Sequence, residues 1–333
     1  MNWNDFSKHL QAQLQEHLHP SLKSSYLPIK ILSAQALGGG DSHSAYRLQT
    51  ATHTYFLKLN QREKLPLFET EMRSLNAIKQ NGAIRCPQPI ATGIYFDQAW
   101  LLMEHLTLTS VKTADQEQRR GRALAQMHRS SPPDQHAQPT TRLAKKSSTE
   151  STGSTSPSST QPFGWFENNF IGLTPQNNQW HGDWVEFYAQ MRLRPQLELA
   201  SLRNAPASLY ALGLELMDAL PFWFVDYTPE PSLLHGDLWG GNSAFNSDGQ
   251  PVVFDPACYY GDRETDLAMS ELFGGFSADF YAGYHEAFPL DSGYKRRLPL
   301  YNLYHILNHN NLFGGDYARI SEKMMTALLR TVR

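Results

Sequence analysis

His235-Gly236-Asp237-Leu238-Trp239-Gly240-Gly241-Asn242 is the stretch whose reading decides the fold. An apolar run, Ser232-Leu233-Leu234, leads into it. A second apolar run, Pro251-Val252-Val253-Phe254, follows and ends in Asp255. Asp237 is thus followed by an asparagine five residues on and by another aspartate eighteen residues on, on a loop between two short predicted strands. A His-Gly-Asp triplet alone carries little. The chain holds another, His181-Gly182-Asp183, with Tyr188 at the asparagine position and no carboxylate at the longer spacing. The complete triple is the discriminating feature.

An Asp-Asn-Asp set on such a loop is the pattern of kinase-like phosphotransferases, in which the first Asp accepts or orients the hydroxyl proton and the other two hold Mg²⁺ on the ATP phosphates. Asp237 is accordingly the candidate catalytic base. Asn242 and Asp255 are the candidate Mg²⁺ ligands, both supplying the hard oxygens that ion takes. His235 is expected to support the loop, and Asp266 to anchor it through its backbone. Trp239 is expected to face the acceptor, where an indole can stack on a sugar ring or a cationic amine.

Working upstream, Phe6, Leu10, Leu14 and Leu18 recur at helical spacing, so a helix is predicted over residues 4–18. Strands are predicted over 29–37 and 44–49 on either side of Gly38-Gly39-Gly40-Asp41-Ser42-His43. Glycines there let backbone N–H groups approach phosphate oxygens, so Gly39, Gly40, Asp41 and Ser42 are candidate ATP contacts. A third strand, Thr54 to Leu59, holds Lys58 in an apolar setting. An ammonium so placed needs a partner, and the helix predicted over 67–78 offers Glu69 or Glu71. Phe68-x-x-Glu71 makes Glu71 the natural one. Lys58 would then bind the α and β phosphates, with Glu71 holding it.

Two further strands, 90–95 and 99–104, complete a β-rich lobe over 1–103. Residues 104–108 read as a hinge, whose backbone at Glu104 and Leu106 would meet adenine. From 109 to 333 the pattern turns helical, over 115–129, 183–200, 205–219 and a long stretch near 297–331. Residues 131–161 are dominated by Ser, Thr, Pro and Gln and are expected to be a disordered insertion. The fold class is therefore α+β and bilobal, protein-kinase-like. A small antiparallel sheet lobe with a helix is joined to a larger helical lobe that carries catalysis.

The bulk properties agree. A chain of 333 residues can bury a sizeable core and suits two lobes or domains, and a net charge of −3 gives no reason to expect nucleic acid or an anionic membrane as partner. Two cysteines, Cys86 and Cys258, make no disulfide framework and fit a reducing cytoplasm. No run approaches a membrane span, and the polar N-terminus does not read as a signal peptide. A monomer is expected. His305 and His309 lie four apart on a helix, but no third ligand accompanies them, so they read as core or cleft histidines.

The same octet resembles the signature of the fructosamine kinase (ketosamine 3-kinase) family. The resemblance extends to Gly38-Gly39-Gly40 with Ala45-Tyr46-Arg47-Leu48, Phe163-Gly164-Trp165, and Ile171-Gly172-x-Thr174-Pro175-Gln176. It continues through Arg192-Leu193-x-Pro195-Gln196-Leu197, Asp255-Pro256-Ala257-x-Tyr259-Tyr260-Gly261, Arg263-Glu264-x-Asp266-Leu267-Ala268-Met269 and Tyr301-Asn302-Leu303-Tyr304-His305. Three departures stand out: the length of 131–161, Asn168 in place of an Asp, and Asp262 in place of a His. The resemblance implies an ATP- and Mg²⁺-dependent kinase that phosphorylates the 3-hydroxyl of ketosamines, on small amines or on glycated protein lysines, leading to deglycation. It makes Trp239 and His305 candidate sugar contacts. Two other readings compete. One is a kinase of the same fold acting on an aminoglycoside, choline-like or other hydroxylated amine. The other is a nucleotide-binding pseudokinase, which the presence of Lys58, Asp237, Asn242 and Asp255 opposes.

Overall fold

The computed structural model describes residues 3–18, 29–38, 43–109, 112–132 and 162–332. Gly39, Gly40, Asp41 and Ser42, and the predicted insertion from 133 to 161, lie outside the described residues.

The chain opens with helix α1 (Trp3–Leu18) and strands β1 (Ile31–Leu37), β2 (Ser44–Thr50) and β3 (Thr54–Gln61). Helix α2 (Leu65–Asn81) and strands β4 (Pro89–Tyr95) and β5 (Gln98–Glu104) follow. The strands form one five-stranded antiparallel sheet in the order β1-β2-β3-β5-β4. Period-two alternation explains its two faces. On β3, Tyr55, Leu57 and Leu59 pack with Phe6, Leu10 and Leu14 of α1. Phe56, Lys58 and Asn60 point the other way, into a cleft. On β5, Trp100 and Leu102 join the α1 side, whereas Leu101 and Met103 join α2. Helix α2 starts with a proline in its first turn and ends at Gly82, whose φ of 75° and N–H to the Ile78 carbonyl close the last turn. Its buried stripe is Phe68, Leu75 and Ile78, at helical spacing.

The second lobe begins with the short strand β6 (Leu108–Thr109) and helix α3 (Ala114–His128), which Thr113 and Gln116 start with a capping box. A hairpin, β7 (Asn169–Ile171) and β8 (Thr174–Gln176), precedes α4 (Trp184–Phe187), α5 (Arg194–Leu202) and α6 (Ala207–Ala219). Strands β9 (Pro231–Leu234), β10 (Ser243–Asn246), β11 (Pro251–Val253) and β12 (Tyr259–Asp262) then frame the octet. Helices α7 (Glu264–Leu272), α8 (Ala278–Ala287), α9 (Tyr294–Phe313) and α10 (Tyr317–Val332) complete the chain. This is the α+β, bilobal, protein-kinase-like arrangement that the sequence leads one to expect. Among the described residues, no helix is long and apolar enough to cross a membrane.

Two expectations are corrected. The helix expected over 183–200 is interrupted by a π-helical segment, Tyr188–Leu193, between α4 and α5. It seats the fully buried Arg192 against the Asn177 carbonyl (2.6 Å), Asn178 Oδ1 (2.8 Å) and the Tyr259 ring. The long terminal stretch is two helices, broken at Gly314 and Gly315, which have φ of 66° and 65°. Helix periodicity reads through such a break, because the apolar stripe resumes on the far side.

Candidate active site

A cleft of about 750 Å³ separates the lobes, a size that suits a nucleotide-sized ligand. Strand alternation aims Lys58 into it, and the Phe68–Leu75 stripe aims Glu71 at the same point. Lys58 Nζ lies 2.6 Å from Glu71 Oε1 and 2.6 Å from Asp255 Oδ1. Of the two glutamates open in the sequence, α2 therefore presents Glu71. Burial opposes the charge on Lys58, but Asp255 and Glu71 together raise its pKa above the ordinary lysine value. Asp255 is held below the usual carboxylate range because Lys58 outweighs the effect of burial. Glu71 is pushed up to about 7 by burial, against the pull of Lys58 and with the push of Asp255. Two carboxylates thus share one ammonium, and Asp255 is the more firmly ionised.

The octet loop is built from its backbone upward. His235 N–H and Gly236 N–H donate to the two oxygens of Asp266, at 2.7 and 2.9 Å. Asp266 therefore anchors the loop as expected. His128 Nε2 lies 3.1 Å from the same carboxylate, and its Nδ1 lies 2.9 Å from the Tyr284 hydroxyl. His235 donates from Nε2 to the Phe254 carbonyl and accepts the Asp237 N–H at Nδ1. A carbonyl can only accept, so the proton is on Nε2. Burial lowers the His235 pKa, which suits this neutral form. Gly236 has φ of 83°, and a Cβ there would stand 2.1 Å from the Ala257 carbonyl oxygen. The glycine before Asp237 is thus demanded by both conformation and space.

Asn242 Nδ2 donates to Asp237 Oδ2 at 3.1 Å and to the Asp237 carbonyl at 3.0 Å. Phe254 N–H donates to the Asn242 carbonyl, tying the loop to the end of β11 and so to Asp255. Asp255 has φ of 58°, a left-handed conformation that non-glycine residues adopt chiefly where function or a turn requires it. Burial, then the charge of Asp255, pushes the Asp237 carboxyl up to about 7, against the hydrogen bond from Asn242.

The donor chemistry of Asp255 and Asn242, hard oxygens beside a lysine, fits Mg²⁺. Among the described residues no group of three His, Cys, Asp or Glu side chains could hold a metal ion unaided. Mg²⁺ typically completes its shell with water and substrate phosphates. Glu104 and Leu106 line the cleft. The Glu104 carboxylate is tied to Arg85 and to Gln88 N–H. Trp239 lines the cleft with its ring over Gly241.

His305 is not among the residues that line the cleft. It is buried in α9, and burial lowers its pKa to about 3. Asp262, the departure from the expected histidine, is buried and accepts hydrogen bonds from Tyr227, Tyr301 and the Glu264 N–H. Sequence reasoning missed His128 and the pair Asn169 and Gln176. The latter two hold the carbonyls of Cys258 and Ala257 just beyond Asp255. The Thr174-Pro175-Gln176 run was the available signal.

A family model for fructosamine kinase matches residues 10–331. A Synechocystis protein named "probable ketoamine kinase" is 38% identical over 307 residues, 91% of this chain and 92% of its own. The mouse protein named ketosamine-3-kinase is 36% identical over 298 residues, covering 87% and 93%. A solved structure from Haemophilus somnus, assigned as a fructosamine-3-kinase, superposes with a TM-score of 0.78 over 96% of each chain at 25% identity. With the match spanning both lobes and the whole cleft, this chain belongs to the fructosamine kinase family.

Proposed function

We propose that this chain transfers the γ-phosphoryl group of ATP to the 3-hydroxyl of ketosamines, the sugar adducts of lysine side chains and other amines. The observation that carries the reading is the Lys58 ammonium, held at 2.6 Å by both Glu71 and Asp255 within reach of the Asp237 loop. Relatives named for ketoamine and ketosamine phosphorylation support the acceptor class. Bound Mg-ATP supplies the phosphoryl group and neutralises charge on it. Lys58, aimed by Glu71, provides the fixed cation for the phosphates. Asp255 and Asn242 are the metal ligands of this reading, with the hinge at Glu104 and Leu106 against adenine. Asp237, steadied by Asn242, orients the acceptor hydroxyl and takes its proton. A 3-phosphorylated ketosamine eliminates phosphate and releases the amine, so the outcome is deglycation. Two buried free thiols, Cys86 and Cys258, favour a reducing cytoplasmic setting.

The test is ADP release with Mg-ATP and a panel of ribulose-lysine, fructose-lysine, kanamycin and choline. Turnover confined to the sugar-lysine adducts is expected, and turnover on kanamycin or choline instead would overturn the acceptor. ATP binding without turnover on any of them would favour a pseudokinase.

The reading also sets a pH dependence. Only ionised Asp237 accepts a proton, and its carboxyl is raised to about 7. The ionised fraction grows with pH, so kcat/KM climbs on the acid side and levels off above about 7. A profile that is flat between about pH 5.5 and 8 would remove Asp237 from the role of base.

A further inference from the structure

Outside the cleft, aromatic rings continue the line that Trp239 begins. Trp239 meets Phe273 edge-on at 6.5 Å, Phe273 meets His309 at 4.9 Å, and His309 meets Phe313 at 5.5 Å and Tyr317 at 5.3 Å. Trp239 is 39% exposed, Phe273 43% and Phe313 60%. Trp239 lines the cleft beside Asp237, whereas Phe273, His309, Phe313 and Tyr317 lie beyond it. The ledge is assembled from three places: the octet loop, the end of α7 and the α9–α10 junction. Backbone packing fixes its near end. A Cβ on Gly240 would stand 2.9 Å from the Gly274 carbonyl oxygen, so the octet loop presses against the turn after Phe273.

We infer that this ledge seats the polypeptide carrying a ketosamine-modified lysine, an inference that rests on the ketosamine reading above. A contiguous exposed aromatic surface marks an interaction site more often than a solvent face. Here it is continuous with the cleft wall beside the catalytic loop, which names its occupant. A sugar adduct engaged at Asp237 has its lysine stem leaving past Trp239, and the main chain then lies along the rings. The ledge extends for three ring-to-ring steps, the reach of about five extended residues at 3.3 Å each. A free sugar-amine has nothing to place there. Ring faces favour apolar and cationic side chains, so leucine and arginine flanking the modified lysine suit it.

The test compares the full chain with its Phe273→Ala and Phe313→Ala variants on two probes. One is free ribulose-lysine, and the other is a short peptide bearing the same adduct flanked by Leu and Arg. Leu32→Ala, at an exposed residue on β1, is the control. Both ledge variants are expected to raise KM for the peptide at least about fivefold while leaving the free adduct unchanged. Equal effects on both probes, or none on the peptide, would overturn the inference. So would a dimer of the wild type that Phe313→Ala dissociates, which would give the ledge to a second copy of this chain. Wild-type silence on these probes and on their fructose-lysine counterparts would bring down the ketosamine reading itself, whereas turnover of the free adduct with no ledge effect would sink this inference alone.

Discussion

Asp237→Asn lowers kcat by about 10²- to 10⁴-fold, the usual contribution of a positioned general base, and leaves ATP affinity nearly intact. Asparagine keeps the size of the side chain and loses its basicity. The loop does not depend on this carboxylate for its shape. His235 and Gly236 are held by Asp266, and Asn242 still has the Asp237 carbonyl at 3.0 Å. Among the described residues, the cleft lining carries the carboxylates of Glu71, Glu104, Asp237 and Asp255 and the ammonium of Lys58. Removing one negative charge therefore does not disfavour a polyanionic nucleotide. Single-turnover kinetics and ATP titration calorimetry check both halves. A kcat within about tenfold of the wild type would end the assignment of Asp237 as base. A large loss of ATP affinity would show that the substitution had disturbed the cleft instead.

Asp266→Ala destabilises the protein by about 3–5 kcal/mol, the scale for removing one partner of a buried charged network. Its two oxygens satisfy two backbone N–H groups and His128, all inside the protein. Alanine leaves those donors with no acceptor, and each orphan costs about 1–3 kcal/mol. Asp266→Asn retains one acceptor oxygen, so its loss is smaller. Burial raises the Asp266 pKa, but His128 and the Gly236 N–H outweigh it and the net shift is downward. A depressed carboxyl contributes stability above its unfolded pKa and loses it as pH falls through the folded value. That acid-side loss should be absent from the alanine variant. Urea unfolding at neutral and acidic pH reads out both effects, and a neutral-pH loss under about 1 kcal/mol would refute the anchoring role.

What could be read from the chain depended on how local each signal was. The spacing of Asp237, Asn242 and Asp255 is visible because one loop and one strand carry all three. Lys58 is visible because an ammonium in an apolar and aromatic strand demands an explanation. Phe68-x-x-Glu71 favoured Glu71 over Glu69, and the seating of α2 on the sheet puts Glu71 at 2.6 Å from Lys58. His128 could not be read at all. It reaches Asp266 across 138 positions, and a helical histidine carries no mark of the partner it meets in space. The ring ledge was hidden for the same reason, because three separate elements supply it. The broken terminal helix was missed differently: Gly314-Gly315 is a turn signal in the sequence, but the apolar stripe that resumes beyond it outweighed that signal in the reading. His305 was proposed through family resemblance alone; it is buried in α9.

The hydrophobic packing does not divide where the chain does. The inner face of the sheet and α2, through Phe68, Leu75, Ile78, Leu101 and Met103, share one continuous core with the helical lobe. The outer face shares a separate, smaller core with α1. The seam between cooperative units therefore runs through the plane of the sheet. A local opening of α1 would expose Phe6, Leu10 and Leu14 without touching the core that holds Phe68 and Leu75 on either side of Glu71. The nucleotide-facing half of the small lobe is, in mechanical terms, an outgrowth of the large one, and α1 is the cover that can fray without disarming it.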